Sequence, residues 1–299
     1  MSTESLIVPR AAFDIEEPWS VPPECKPVRL RRATDGASPR LATRVAVWYD
    51  DDYLTVLFRA DDDHVDATHL QHDAPLYEHD VVEAFVAPER AGDYFELEAS
   101  PRGTLFDARV HSPDGVRATM EVDRDWNCEG LFAAIRKTTE ADGAMTIDTL
   151  IRIPFAGVGR KTPAAGEEWR GNFFRIDRHP RHGDEFSAWQ PTMKTPADFH
   201  VTAAFGVLRF ERWRRNSKRS STSSRIPMAR NTTGGMLRGA RSCSTFANGS
   251  ARREDACSTS AADVASSSAH CAGEAWIAAA SSSGRRSLSP ASSTSFAST

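Results

Sequence analysis

The sequence has little cysteine and no long apolar run, and both absences narrow what the chain can be. Five of its 299 residues are cysteine, and only Cys25 and Cys128 fall in the first 213 residues. These two have no CxxC spacing, so the pattern of a zinc site is missing, and the sequence leaves open whether they pair.

No apolar run reaches the roughly 20 residues of a transmembrane helix. The start, MSTESLIVPRAAF, has no basic stretch followed by an apolar one. We therefore expect no signal peptide, no membrane partner and, by default, a cytoplasmic protein.

Positive charge is also scarce in the first part of the chain. Residues 1–213 carry 25 Lys and Arg against 37 Asp and Glu, a net charge of −12. Because binding to a phosphate backbone needs clustered basic side chains, we expect no nucleic-acid partner. Residues 214–299 carry 12 basic against 4 acidic residues, a net charge of +8, and serine rises from 7 to 22. The two parts of the chain therefore need separate interpretations.

Residues 213–299 show no periodic pattern of apolar residues. Ser, Ala, Arg and Thr dominate this segment. It cannot bury enough apolar surface to offset the entropy of ordering, so we predict a disordered tail. Two alternatives stay open. One is a basic interaction arm. The other is a frameshifted reading of a GC-rich gene, because the composition changes abruptly after FGVLRFERW.

Residues 8–212 are predicted to form one domain, after a short N-terminal extension over residues 1–7. The domain has no helical stripe longer than two turns. It has short alternating runs bounded by Gly, Pro or Asp, which are typical of strands. Many short strands at this spacing predict an all-β protein, an antiparallel β-sandwich of jelly-roll type. The predicted strands are 43–50, 53–61, 80–88, 93–101, 104–112, 116–123, 130–138, 145–155, 168–178 and 205–213.

Several predicted strands carry carboxylates among their apolar residues. Alternation places Glu83 on one strand face with Val81 and Phe85, and places Glu96 with Tyr94. Such carboxylates either form the solvated outer face of a sheet or line a cleft. A sugar offers hydroxyl groups to carboxylates and Arg, and C–H faces to aromatic rings. The residues that would suit a sugar cleft are Tyr77, Trp189, Glu83, Arg109 and Arg175.

A set of segments in fixed order carries a family resemblance. They read PLYEHDVVEAFVAP, YFELEASPRGTLFDARV, WNCEG, IRIPF, WRGNFFRID, EFSAWQPT and FHVTAAFGVLRF. In this order they resemble the carbohydrate-binding module family 9-like domain, over about residues 8–212. The resemblance implies a DOMON-like β-sandwich that binds mono-, oligo- or polysaccharides without catalysis. It also implies a link to carbohydrate catabolism, because the family is commonly attached to glycoside hydrolases.

The resemblance also implies roles for particular residues. The family holds a terminal sugar between two aromatic rings. Tyr77 stands at the position of the first ring, commonly Trp, and Trp189 matches the second. Glu83 matches the strand carboxylate that hydrogen-bonds the sugar.

Two features of the family pattern are less directly matched. The strand Arg that the family uses is replaced by Glu96, and Arg175 or Arg109 would have to substitute for it. Calcium often accompanies the fold, and Asp61 and Asp62 are candidate ligands, although a DDD run after a strand is also a common turn.

The sequence leaves two other functions open. A glycoside hydrolase would use an acid and a base from Glu83, Glu96 and Glu98, about 5–10 Å apart. A haem-binding electron carrier would use a Met/His pair. Its candidate ligands are Met120, Met193, His72, His179 and His200. We favour non-catalytic sugar binding, with no nucleotide or haem cofactor, and leave the oligomeric state open.

Overall fold

The computed structural model describes residues 4–211 and 274–277 of the chain. Within these residues there are two β-sheets, three 3₁₀ turns and no α-helix. The tail predicted to be disordered lies outside the described residues, apart from four residues that form a strand. None of the helical turns in the described ranges has the length and apolar character needed to span a membrane.

Fifteen strands make up the two sheets of the described residues. In chain order they are β1 (Ser5–Pro9), β2 (Val28–Arg29), β3 (Arg31–Arg32), β4 (Thr43–Tyr49), β5 (Tyr53–Asp62), β6 (Val81–Ala87), β7 (Asp93–Ala99), β8 (Leu105–His111), β9 (Glu121–Asp123), β10 (Phe132–Thr139), β11 (Met145–Pro154), β12 (Glu168–Asp177), β13 (Glu185–Ala188), β14 (Gly206–Glu211) and β15 (Glu274–Ile277).

The first sheet has nine strands and the second has six. The first runs β1-β14-β12-β6-β7-β8-β9, with β13 paired to β12 and β3 paired to β13. The second runs β15-β10-β11-β5-β4-β2. The strand ladders are antiparallel except for the parallel pair β1 and β14. The predicted all-β sandwich is confirmed.

Most predicted strands agree with the structure to within two residues at each end. The segment 116–123 differs, because Arg117–Thr119 form a 3₁₀ turn and only β9 follows it as a strand. The stretch set apart as an N-terminal extension contains the start of β1, whose Ser5 pairs with Val207 of β14. The short strands β2, β3 and β13 have too few residues to show a readable alternation.

The main core lies between the two sheets. The alternation of β6 turns Val82, Ala84 and Val86 inward, where they join the inward residues of β4 and β5 in one apolar cluster. Aromatic rings fill one end of this core. Phe210 meets Tyr49 and Trp169 edge to face, with ring centroids 5.1 and 4.9 Å apart. The two cysteines are free and belong to different clusters.

The outer face of the first sheet is covered rather than solvated. Phe85, Tyr94, Phe106 and Phe174 form a second apolar cluster there. Phe199, from the segment before β14, stacks on Phe174 with centroids 4.2 Å apart. Because this cover is incomplete, it leaves a cleft over the strands that carry the glutamates.

Candidate functional site

The cleft on the outer face of the first sheet has a volume of about 310 Å³. It lies over β6, β7 and β8 and is bordered by the 3₁₀ turn before β6, by the segment before β9 and by the segment before β14. Its aromatic lining is Tyr77, Phe106, Phe186 and Phe199. Its charged and polar lining is Glu83, Glu96, Arg117, Arg124, Arg178, Asp198 and His200.

Three glutamates form the floor of the cleft and the layer directly beneath it. Glu83 of β6 lies directly opposite Glu98 of β7, and Glu96 is two residues before Glu98 on the same strand face. One carboxylate oxygen from each lies within 4.8 Å of the others. Glu83 and Glu96 line the cleft, and Glu98 lies behind them with 1% of its surface exposed.

Burial perturbs these three carboxyl groups, and the charges of Arg117 and Arg124 oppose its effect only in part. Desolvation raises the pKa of Glu96 to about 7. It raises the pKa of Glu83 well above the usual value, and the charge on Glu96 adds to this effect. The pKa of Glu98 is raised in the same way, by burial first and then by both neighbouring carboxylates. The floor therefore holds protons at pH values where an exposed glutamate has lost them.

One wall of the cleft is a neutral hydrogen-bonded group. The hydroxyl of Tyr94 lies 2.6 Å from Nδ1 of His200 and 3.8 Å from Sδ of Met120. Burial, followed by the charge of Arg117, lowers the pKa of His200 to about 4, so the imidazole is neutral at neutral pH. Its Nε2 lies 3.8 Å from Glu96 and can supply a polar contact but not a compensating charge.

The aromatic rim is held by a single arginine. Tyr77 lies in the 3₁₀ turn Leu76–Glu78 and keeps 40% of its surface exposed. Its backbone carbonyl accepts a hydrogen bond of 2.6 Å from Arg178, whose guanidinium also lies 5.1 Å from the ring centre of Phe186. The backbone N–H of Arg178 donates to Asp80 at 2.6 Å. These contacts hold the backbone of the turn that carries Tyr77, which lines the cleft together with Glu83.

Trp189 does not reach this cleft. It is 3% exposed and packs in the core between the sheets, with its ring centroid 5.8 Å from that of Phe173. Its ring also lies so close to Gly206 that a Cβ there would have no room. Strand β13 ends one residue earlier with Ala188 on the outer face, so alternation turns Trp189 inward. The structure therefore does not bring Tyr77 and Trp189 together as two facing rings.

Arg109 and Arg175 also lie away from the cleft, on the inner face of the first sheet. Arg109 pairs across strands with Phe95, which packs against the core, and it binds Asp123 at 2.9 Å near the sheet edge. Arg175 pairs across strands with the inward Val82. Since side chains alternate along a strand, neither can replace the missing family arginine beside Glu83.

The arginines of the cleft come from positions that the sequence did not indicate. Arg117 lies in a 3₁₀ turn, Arg124 follows β9, and Arg178 follows β12. Arg117 and Arg178 lie near the ends of the predicted strands 116–123 and 168–178, and Arg124 directly follows the first of these, so alternation alone did not single them out as site residues.

The model of carbohydrate-binding family 9 matches residues 32–210, more than half of the chain. The chain belongs to carbohydrate-binding family 9. This family 9 module is also similar to a solved candidate carbohydrate-binding protein from Bacteroides uniformis. The two are 20% identical with a TM-score of 0.53, and the match covers 70% of this chain and 100% of the other. That similarity supports the fold.

Two further solved structures are family 9 modules from Caldicellulosiruptor kristjanssonii. The one in complex with cellotriose is 12% identical, and the match covers 72% of this chain and 97% of the other. The one in complex with glucose is 14% identical, and the match covers 72% and 100%. Both have a TM-score of 0.46. The comparison with curated proteins gave no match.

Family 9 modules bind carbohydrate without catalysing a reaction. The glutamates of this module are arranged accordingly. The oxygens of Glu83, Glu96 and Glu98 converge within 4.8 Å on one side of the cleft. A glycoside hydrolase instead places its two carboxyl groups about 5–10 Å apart on either side of the bond to be cleaved.

Asp61 and Asp62 cannot share one calcium ion in this arrangement. Asp62 is buried on the inner face of β5, and Asp61 lies next to it in the strand and so points to the opposite face. A group formed by Asp62, Asp80 and Asp177 does exist, with oxygens within 4.8 Å of one another.

The oxygens of this aspartate group already have partners. Asp62 binds Arg175 at 2.8 Å, and Asp80 accepts from the backbone N–H groups of Asp66 and Arg178, each at 2.6 Å. Only Oδ1 of Asp177 is buried without a partner. Calcium takes about 6–8 oxygen ligands, so this closed group fits the ion poorly.

Of the five haem-ligand candidates, the structure places only Met120 and His200 in the cleft. Both are held by the Tyr94 hydroxyl. Met193 is 44% exposed near Gly36. The other two are paired with aspartates: His72 with Asp73 and Asp107, and His179 with Asp63.

Proposed function

We propose that this family 9 module holds one sugar unit in the cleft between Tyr77 and the floor of Glu83 and Glu96. The observation that carries the proposal is the convergence of three kinds of group on a cleft of about 310 Å³. These are an exposed aromatic ring, carboxylates and guanidinium groups. Together they match the C–H face and the hydroxyl groups of a sugar.

Each group has a distinct part in the proposed complex. The ring of Tyr77 stacks on the apolar face of the sugar, since it is the most exposed aromatic ring of the lining. Glu83 and Glu96 accept hydrogen bonds from hydroxyl groups. Arg117 and Arg124, on the opposite border, donate hydrogen bonds to ring or hydroxyl oxygens.

Calorimetric titration of the full chain with glucose, xylose, cellobiose and xylobiose tests this proposal. We expect binding to at least one sugar, and an affinity at least about tenfold lower in Tyr77→Ala, because a stacked ring is lost. Tyr53→Ala is the matched control, since Tyr53 lies at a different cavity beside Arg152. Equal affinity in Tyr77→Ala, or no binding of any sugar by the folded chain, would contradict the proposal. The link to carbohydrate catabolism stays a prediction.

A further inference from the structure

Three arginines border the cleft, and one of them is already engaged by the protein. The guanidinium of Arg178 binds Asp184 and donates to the backbone carbonyl of Tyr77. It also lies 5.1 Å from the ring centre of Phe186. Arg178 therefore supports the rim of the cleft, and its donors are largely used.

The other two arginines are much less satisfied. Arg117 has only a long contact, with its Nε 3.9 Å from an oxygen of Asp198, and 57% of its side chain is exposed. Arg124 is exposed and forms no ion pair in the described part of the chain. Its guanidinium lies 5.9 Å from the ring centre of Phe106. The cleft thus keeps two guanidinium groups whose N–H donors are available to a ligand.

Both guanidinium groups act on the same part of the cleft. Arg117 lies in the 3₁₀ turn before β9, and Arg124 directly follows β9, so the two approach the floor from segments that flank one short strand. The charge of each lowers the pKa of Glu96, against the larger effect of burial. A ligand that rests on the floor therefore lies in the field of both arginines.

The floor carries little negative charge of its own in mildly acidic solution. Burial raises the pKa of Glu96 to about 7 and that of Glu83 well above the usual value, so both hold protons at pH 6. A protonated carboxyl group can donate as well as accept a hydrogen bond. The remaining carboxylate of the lining is Asp198. At pH 6 the arginines of the lining therefore outnumber its ionised carboxylates.

A carboxylate is the anion that best matches these two guanidinium groups. The planar fork of a guanidinium donates two parallel hydrogen bonds to the two oxygens of a carboxylate. A uronic acid carries such a carboxylate on a single sugar ring, and its hydroxyl groups suit carboxyl groups that can both donate and accept. The cleft of about 310 Å³ has room for one unit of this kind.

We propose that the cleft selects a uronic acid, with its carboxylate bound by Arg117 and Arg124 and its hydroxyl groups bound by Glu83 and Glu96. The proposal rests on the proposed sugar-binding function, since the uronate ring would occupy the cleft beside Tyr77. It adds the chemical class of the ligand, and it gives the two arginines the carboxylate as their acceptor.

The test is calorimetric titration of the full chain at pH 6 with glucuronate, galacturonate, the methyl ester of each, and glucose 6-phosphate. A uronate and its methyl ester share one ring and differ in charge. We expect at least one uronate to bind at least about tenfold more tightly than its own ester, because only the uronate can pair with the arginines. We expect glucose 6-phosphate to bind more weakly than that uronate, since its phosphate lacks the planar match to a guanidinium.

Variants assign the selection to the two arginines. We expect Arg117→Gln and Arg124→Gln each to reduce the preference for the uronate over its ester several-fold, and the double variant to abolish it. Arg109→Gln is the matched control, because Arg109 is an exposed arginine that lies at another cavity.

The preference should also fall as the pH rises from 6 to 8. Loss of the Glu96 proton adds negative charge to the floor, which repels the uronate, so the fall should be smaller in Glu96→Gln. The other titratable or charged groups that face Glu96 are Glu83, Tyr94, Glu98, Arg117, Arg124 and His200. Of these, the two glutamates add to the fall, and His200 is neutral throughout this range. Glu121→Gln is the matched control, because Glu121 is exposed on β9 and lies at the other cavity.

The outcomes separate this inference from the broader function. If both uronates bind no better than their esters and Tyr77→Ala weakens binding, the sugar cleft stands and the uronate inference is overturned. If glucose 6-phosphate binds as tightly as the better uronate, the choice of a carboxylate is overturned. If the double arginine variant keeps the preference, the assigned residues are overturned. If the folded chain binds none of these ligands and none of the four sugars used to test the cleft, both proposals fail.

Discussion

Two buried groups of three carboxylates lie on opposite sides of the first sheet, and they are satisfied very differently. On the inner side, Asp62, Asp80 and Asp177 are matched by Arg175 and by backbone N–H groups. On the outer side, the described residues give the floor glutamates no ion pair with Lys or Arg and no backbone N–H donor. Burial is similar in both groups. The comparison shows that partners, rather than burial, distinguish a structural cluster from one that remains available to a ligand.

Removing the arginine of the inner group should have the largest effect. In Arg175→Met, Asp62 would stay buried without its guanidinium partner, which is 6% exposed, and Asp177 would keep only Arg40. We expect the free energy of unfolding to fall by about 3–5 kcal/mol, measured by urea denaturation. The control Arg109→Met breaks an exposed pair with Asp123 and should cost about 0–1 kcal/mol. Similar losses in both variants would remove the distinction between the two pairs.

The family pattern implies two site rings, Tyr77 and Trp189. Truncating each should show that Trp189 stabilises the core whereas Tyr77 binds the ligand in the cleft. Trp189→Ala leaves a cavity between the sheets, so we expect it to lower the free energy of unfolding by about 3–5 kcal/mol. Tyr77→Ala should cost well under about 1 kcal/mol, since the ring is 40% exposed, and should weaken sugar binding instead. Urea denaturation and calorimetric titration of both variants check this. A stable Trp189→Ala protein that has lost only sugar binding would place Trp189 in the site.

The pH dependence of stability should report the unpaired outer group. Because Glu98 has a raised pKa in the folded protein, its contribution to stability is fully present below the unfolded pKa, near 4.5. It is lost as the pH rises through the higher folded pKa. We expect Glu98→Gln to increase the free energy of unfolding at pH 8 by about 1–3 kcal/mol. At pH 4.5 the variant should match the parent chain.

A second titrating group also makes the free energy of unfolding depend on pH. His200 has a lowered pKa and therefore gives stability that rises between about pH 4 and pH 6.5. Comparing Glu98→Gln with the parent at each pH cancels this contribution. Glu121→Gln should follow the parent throughout. A lower stability of Glu98→Gln at pH 8 would mean that the Glu98 carboxylate has a stabilising partner.

Calcium should have the smallest effect. Since arginines and amides already satisfy most oxygens of the inner group, we expect calcium to raise the free energy of unfolding by less than about 1 kcal/mol. Denaturation in millimolar calcium and in EDTA measures the difference. A shift of several kcal/mol that disappears in Asp177→Asn would show that the ion, rather than Arg175 alone, balances the inner group.

The sequence predicted the parts of the molecule that follow strict alternation. The strand around Glu83 has the predicted inward and outward residues, with Val82, Ala84 and Val86 in the main core. On β6 and β7 the carboxylates lie on the outer face, as the apolar pattern of those strands suggested.

The remaining site residues depend on features that alternation does not encode. On β8 and β12 the charged face turns inward, because Arg109 lies near the sheet edge and Arg175 bridges the sheets to Asp62. The direction of Trp189 depends on β13, which has only four residues inside a long irregular segment. Arg117 and Arg178 reach the cleft from a turn and a strand end, where backbone geometry sets the direction of the side chain.

The parallel pairing of β1 with β14 has a consequence for how the protein folds. Ser5 pairs with Val207, so the first strand of the sandwich finds its ladder partner only in the last strand of the body. Contacts between such distant parts of a chain form slowly, because a very long loop must close first. On the ribosome, β1 would wait for nearly the whole body to be synthesised. This edge of the sheet would therefore be completed last.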